Sequence, residues 1–85
     1  MNKNLLNVMQ GPPSPLLSGF RMEIKGNREV VLEGCGGVQE YSEETVRVRA
    51  GKMSVRFSGR NLKIQCLTAD SLVLEGYLTG MEFIT

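Results

Sequence analysis

Apolar and polar residues alternate along most of this chain, and the alternation is clearest from Thr45 to Phe83. Thr45–Ala50 and Lys52–Ser58 are each followed by a glycine, and Leu62–Cys66 and Leu72–Glu75 repeat the same pattern. Successive side chains of a β-strand point to opposite faces, so a period of two is typical of strands with one buried face. The pattern therefore predicts a small β-domain.

The predicted domain spans residues 21–85 and is all-β, with about seven short strands in an antiparallel meander or partly closed β-roll. Its connections are short, which favours antiparallel hairpins because parallel strands need long crossovers. Gly80 moves the apolar phase from Leu78 to Met81, as one extra residue in a β-bulge would do. A short β-solenoid is the alternative, because the glycines recur at regular spacing.

Residues 1–20 have a different character and predict an N-terminal arm. All three prolines fall at 11–15, where they exclude a helix interior or a central strand. Leu5, Leu6 and Met9 would share one side of a helical turn, but such a helix is too short to be stable alone.

Length and charge limit the classes of function. The chain has 85 residues, which is enough for one domain with a thin core that gains from a partner or from self-association. The net charge of +1 gives no general attraction to nucleic acid or anionic membranes. The sequence has neither an apolar run of about 18 residues nor a secretory signal, so we expect a cytoplasmic protein without a transmembrane segment.

Residue types that carry chemistry are scarce. There is no histidine, and there are only two cysteines, so we expect neither a metal site nor a conventional catalytic triad. The glycine-rich segment Gly34–Gly37 lacks the Gly-Lys-Ser/Thr ending of a phosphate-binding loop and predicts a turn. Cys66 has the parity of a core residue, and Cys35, in the glycine turn, is expected at the surface. These features predict a protein that is not an enzyme and needs no cofactor.

Basic residues concentrate between Thr45 and Lys63, where six occur without an acid. Most of them alternate with apolar residues and would share one solvent face of the sheet. The candidate partner-binding basic face consists of Arg47, Arg49, Arg56, Arg60 and Lys63. Acidic segments lie on either side, so head-to-tail self-association through unlike charges would be compatible with the pattern.

The basic face has two other interpretations. It is a solvated outer face if the arginines serve only to keep one side of the sheet polar. It is a nucleic-acid surface if stacking aromatic side chains accompany the charges. Phe57 has the apolar parity, and Tyr41 and Tyr77 belong to other strands, so the sequence disfavours nucleic acid.

Four segments between Gly34 and Phe83 carry a family resemblance: Gly37–Tyr41 with its glycine-valine-x-x-tyrosine spacing, Glu44–Val46, Val55–Ile64, and Leu67–Phe83. They resemble the YabP/YqfC family of sporulation proteins, and the last segment, with its short acidic turn, is more similar to the YqfC branch. The shared pattern consists of strands and glycines and contains no catalytic residue.

The resemblance implies a protein of endospore-forming bacteria that acts in the mother cell, in cortex or coat assembly. It implies a non-catalytic structural or interaction role through protein–protein contact, with a membrane-associated sporulation protein as a partner. The protein would then lie in the mother-cell cytoplasm, or at a membrane through that partner. The alternative is a small nucleic-acid-binding β-barrel that uses the basic face.

Deleting residues 1–15 should leave the β-domain folded, because the arm has only a weak helical pattern and three prolines. We expect the thermal midpoint, followed by circular dichroism, to change by less than about 5 °C. Loss of the folded state would show instead that Leu5, Leu6 or Met9 completes the core.

Overall fold

A computed structural model describes residues 19–85, so the arm predicted at residues 1–20 lies almost entirely outside the described residues. The described chain is all-β, as the alternation predicts. Its six strands are β1 (Arg21–Lys25), β2 (Glu29–Glu33), β3 (Val38–Tyr41), β4 (Thr45–Ala50), β5 (Met53–Leu67) and β6 (Ser71–Ile84).

The strands form one antiparallel sheet in the order β1-β2-β6-β5-β4-β3, which does not close. Every neighbouring pair is antiparallel, which excludes the β-solenoid alternative, whose stacked strands run parallel. From β3 to β6 the sheet is a meander. β2 then joins the far side of β6, although about forty residues separate the two partners in sequence.

The long hairpin of β5 and β6 belongs to two halves of the sheet. We call the set β1, β2, 71–75 and 63–67 the β2 half. The set β3, β4, 53–58 and 80–84 is the β4 half. In each half a short strand lies at one edge and an arm of the hairpin lies at the other.

Both halves contribute to one hydrophobic core. Val30 and Leu32 of β2 are buried in the same cluster as Val46 and Val48 of β4, although β4 lies three positions away in the strand order. The sheet therefore bends so that the inner faces of its two halves enclose these side chains. Phe57 is the largest side chain that is fully buried among them. This common core is why a domain of this size needs no second sheet.

The bend lies where the two arms of the hairpin approach each other closely. A Cβ at Gly59 would overlap the backbone carbonyl oxygen of Tyr77. Gly76 has a φ of +143°, and a Cβ there would lie 2.8 Å from the Asn61 carbonyl oxygen. Asn61 itself has a φ of 54°, in the left-handed region that asparagine tolerates. The strands predicted to end at Gly59 and Gly76 instead continue through them, which is why there are six strands rather than about seven.

Extra residues in three strands shift the register. Ser58 pairs with Gly80 but Gly59 pairs with Leu78, so β6 has one extra residue at Thr79, and the bulge predicted next to Gly80 is confirmed. The Thr79 hydroxyl donates to the Ser58 carbonyl oxygen over 3.2 Å. Further extra residues lie at 39 in β3, at 61–62 in β5, where two residues oppose Gly76, and at 65 in β5. Each such shift exchanges the sides to which the following residues point.

Replacing Gly59 with alanine should destabilise the fold strongly, because the new methyl group overlaps a backbone atom that cannot move away alone. We expect the free energy of unfolding, measured with urea, to fall by more than about 2 kcal/mol. The matched control is Gly80→Ala, since nothing lies within 4 Å of a Cβ at Gly80. The control should stay within about 0.5 kcal/mol of the parent. Equal effects of the two substitutions would contradict the close approach at the bend.

Candidate interaction surfaces

Three of the predicted basic residues meet on the outer face of the β4 half. Arg47 of β4 lies directly opposite Arg56 of β5, and Arg49 lies opposite Ser54. Arg49 is exposed, whereas Arg47 and Arg56 are half-buried. Their neighbours Val46 and Val48 point the other way, into the core. The predicted parity of these strands thus brings the three arginines together.

Acidic residues flank these arginines on the neighbouring strands. Glu40 of β3 is opposite Arg47, and Glu82 of β6 is opposite Arg56 and forms an ion pair with it. Across β3, β4, β5 and β6, the outer face therefore carries one acidic, two basic and one acidic residue in succession. Exposed ion pairs contribute little stability, so the main effect of this row is to reduce the net positive charge of the face.

Gln39, the extra residue of β3, organises the polar contacts of the same face. Its Oε1 accepts hydrogen bonds from Arg47 Nε at 3.1 Å and from Ser54 Oγ at 2.7 Å. Arg49 Nε donates to the Gly51 carbonyl oxygen at 3.1 Å. Because Arg47 and Arg56 are held by side-chain partners, Arg49 is the guanidinium most available to a partner molecule.

Arg60 and Lys63 lie apart from the other three basic residues. Lys63 follows the bend and is opposite Glu75 of β6, which in turn is opposite Glu29 of β2. The Arg60 guanidinium lies 5.6 Å from the centre of the Tyr77 ring. The five residues of the predicted basic face therefore do not form one continuous group, and whether any of them binds a partner stays a prediction.

Arg28 and Arg60 both lie close to Tyr77, which is an exposed aromatic residue near the bend. The Arg28 guanidinium is 4.3 Å from the ring centre, and its Nε donates to the Gly76 carbonyl oxygen at 3.1 Å. Cation–π contacts of this kind contribute about 0.5–1 kcal/mol at exposed sites. Arg28 lies outside the basic stretch that the sequence pattern singles out, so this cluster was not foreseen.

The two cysteines have environments opposite to those predicted. Cys66 is exposed, because the extra residue at 65 reverses the parity of β5 and pairs Cys66 with Val73 on the outer face. Cys35 is only 5% exposed. The backbone N–H groups of Gly34 and Cys35 donate to the Asp70 carbonyl oxygen at 2.7 and 3.2 Å, which holds the glycine turn against the β5–β6 turn. Burial raises the pKa of the Cys35 thiol, and the nearby charge of Asp70 adds to the effect.

Large apolar side chains are exposed at the edges of the sheet. Met81 and Phe83 of β6 are opposite Phe57 and Val55 and have the parity of core residues, yet they are 41% and 50% exposed. Across from them, Ile24 of β1 is 48% exposed. Ile24 and Met81 line a groove of about 190 Å³ that reaches Val30 and Phe57 of the core. Alternation predicts the direction of Met81 and Phe83 but does not show that β6 forms an edge at this point.

A second exposed edge lies between β3 and the end of β5. Tyr41 and Leu67 are 54% and 56% exposed there, and the Tyr41 hydroxyl accepts a hydrogen bond from the Ile64 N–H at 3.1 Å. A groove of about 410 Å³ separates these elements. Both long-hairpin arms therefore leave apolar side chains within reach of another chain.

Within residues 19–85, no three cysteine, aspartate or glutamate side chains lie close enough together to hold a metal ion. The same part of the chain contains no helix that is long and apolar enough to cross a membrane.

Many unrelated proteins have an unclosed antiparallel β-domain with apolar side chains at its open edges. The fold class therefore does not identify the family, and the sequence comparison does. The YabP family model matches residues 18–85, and the chain belongs to that family. The chain is also similar to the uncharacterized protein YqfC of Bacillus subtilis (strain 168). The two are 22% identical over 80 residues, which cover 94% of this chain and 86% of YqfC. No solved structure matches the chain. The resemblance to the YabP/YqfC family is confirmed, and it points to a sporulation-associated protein.

The two thiols should differ in reactivity toward Ellman's reagent. Cys66 is exposed and should react in a fast phase, and the buried Cys35 should react at least about tenfold more slowly. Since the pKa of the Cys35 thiol is raised, its slow phase should gain rate only at a more alkaline pH than an ordinary cysteine requires. Cys66→Ser should remove the fast phase and Cys35→Ser the slow one. Two equally fast thiols in the folded protein would contradict the burial of Cys35.

Proposed function

We propose that this chain is a non-catalytic interaction protein of bacterial endospore formation. It acts in the mother cell, in cortex or coat assembly, through contact with other proteins. Membership of the YabP family supports the role in sporulation. The observation that carries the mode of action is the exposure of large apolar side chains, Phe83 and Leu67 among them, at open edges of the sheet.

An open strand edge is suited to protein contact for a backbone reason. Its unpaired N–H and C=O groups can hydrogen-bond an extended segment of another chain, and side chains beside the edge then select the partner. Here the side chains beside the edge are apolar and adjoin the core, so a partner strand would also extend the hydrophobic core. This arrangement supports a structural role in an assembly.

The outer face of the β4 half supplies a second contact surface. Arg49 is exposed and Arg47 lies beside it, so an acidic protein surface would be attracted to this side of the sheet. The flanking Glu40 and Glu82 limit the charge, so the electrostatic contribution orients the partner more than it holds it. A membrane-associated sporulation protein is the partner class that the family resemblance implies, and it would keep this protein at a membrane surface.

A nucleic-acid-binding role is the second candidate, and one observation favours it. Tyr77 is exposed and lies close to two arginines, Arg28 and Arg60, a combination that also occurs in surfaces that stack bases. The Arg28 guanidinium already lies over the ring, however, so a base would have to displace it. Protein contact is the better-supported function.

The basic face can be tested with two charge-reversed double variants. Arg47→Glu with Arg49→Glu should stay folded, because Arg49 is exposed and the half-buried Arg47 gives up one hydrogen bond, to Gln39, which costs about 1 kcal/mol. It should lose the partner that the parent cross-links in sporulating cells, because like charges across an interface are costly. Arg56 is left unchanged because it is paired with Glu82. The matched control is Arg21→Glu with Lys25→Glu, which alters the net charge equally in the β2 half and breaks only the weak, exposed ion pair of Arg21 with Glu33.

The measurements are spore yield and partner cross-linking in cells that lack the native gene and express each variant. Restored spore formation by the parent and the control but not by the basic-face variant would support the proposal. If the variant folds and keeps every partner, the arginines form only a solvated face and the strand edges become the contact. Cross-linking that disappears after nuclease treatment, or normal sporulation without the gene, would contradict the proposed function.

A further inference from the structure

The C-terminal end of β6 is an open strand edge. Pairing of β6 with β2 stops at Glu75. Beyond it, the β1–β2 turn forms backbone hydrogen bonds with β6 only at Gly76 and Leu78, whose N–H groups donate to the Arg28 and Asn27 carbonyl oxygens at 3.1 and 2.8 Å. From 79 to 84, no described residue forms a strand on the side of β6 that faces away from β5. This segment can therefore hydrogen-bond another extended chain.

The other edges carry features that discourage such pairing. β1 has only five residues and alternates charged side chains along its outer face. β3 has four residues and is interrupted by the extra residue at 39. The end of β5 has an extra residue at 65 and a lysine at 63. Short strands, bulges and lysines are the usual devices that block edge-to-edge association.

Residues 80–84 of β6 are as few as those of β1, but they lack the other devices. They keep an uninterrupted register with 54–58 of β5 and contain no proline, lysine or bulge. Their single charge, Glu82, is already paired with Arg56 of the same chain. Two of their side chains, Met81 and Phe83, are apolar and partly exposed next to the core. This edge alone among those of residues 19–85 combines regular pairing, apolar side chains and a neutralised charge.

These features match a second copy of the same chain. In an antiparallel pair related by a two-fold axis, residues that face each other across the junction point to the same side of the sheet. Met81 and Phe83 of one copy would then meet Met81 and Phe83 of the other. The two Glu82 side chains would approach on the outer face, where each is compensated by its own Arg56. The apolar part of this edge is therefore complementary to itself.

We propose that two copies of this chain pair antiparallel through residues 80–84 of β6, which joins their β4 halves into one continuous sheet. The inference rests on the proposed protein–protein contact, and it names a second copy of the chain as one of the partners. A five-residue strand edge buries less than the roughly 800 Å² per partner of a standard interface. We therefore expect a dissociation constant in the micromolar range, about 1–100 µM.

The test compares two lysine substitutions of similarly exposed apolar residues at different edges. Phe83→Lys should weaken dimerisation at least about tenfold, because it places a cation in the junction. Leu67→Lys, at the end of β5, should leave the dimer intact, and Leu67 is as exposed as Phe83. Sedimentation of the full chain at about 10 and 300 µM gives the oligomeric state, and circular dichroism shows that each variant is folded.

A second measurement addresses the register and does not depend on Phe83→Lys folding. Glu82→Cys in a Cys66→Ser background should form a cross-linked dimer with a short bismaleimide. Ala69→Cys in the same background should not, because it lies in the β5–β6 turn far along the hairpin. Cross-linking of the first variant alone supports the two-fold pair.

Several results would overturn the inference. If the parent protein stays monomeric at 300 µM, the two copies do not pair. If only Leu67→Lys disrupts the dimer, the dimer forms through the end of β5 and not through β6. A parent that dimerises only after residues 1–18 are removed would show that this segment of the chain covers the edge. If the purified protein is monomeric while partner cross-linking in sporulating cells persists, the proposal that a second copy binds this edge is wrong, and the proposed function stands.

Discussion

The close approach of two backbones at the bend of the β5–β6 hairpin is the constraint on which the rest of the fold depends. At Gly59 the carbonyl oxygen of Tyr77 occupies the place that a Cβ would take, and Gly76 adopts a backbone conformation that other residues rarely reach. Without this approach the hairpin would be a long ribbon with one face against water. Because the arms bend here, β2 and β4 contribute to the same core although they lie three positions apart in the strand order, and one core serves both halves.

Register shifts, more than hydrophobicity, decide which side chains this protein presents to its surroundings. The extra residue at 65 places Cys66 on the outer face, and the extra residue at 79 returns Met81 and Phe83 to the inner side. The inner side of the sheet is covered in the middle but open at the edge that β6 forms. Met81 and Phe83 therefore point to the same side as the core residues and are nevertheless exposed. The same irregularity that preserves the core therefore creates an exposed apolar edge.

Much of the architecture could be predicted from local pattern, and most of the surface could not. Period-two alternation indicated the strands and the phase change at Gly80 indicated the bulge, because both are properties of neighbouring residues. The pairing of β2 with β6 joins distant segments that no local pattern connects. For the same reason the basic stretch looked free of acids, although Glu40 and Glu82 come from other strands to flank Arg47 and Arg56. The burial of Cys35 depends on the Asp70 carbonyl oxygen in another turn, and a glycine-rich segment carries no sign of that contact.

The two halves of the sheet repeat one plan: a short outer strand, a middle strand, and then the two arms of the hairpin in exchanged order. An internal two-fold relation of this kind gives the chain two comparable hairpin edges, at 63–67 and at 80–84. A subunit that could pair at both would grow into an open-ended filament. The extra residue at 65 and the neighbouring lysine make the two edges unequal. In the proposed pair, growth through the hairpin would therefore stop at two copies, and a single inserted residue would limit the stoichiometry of assembly.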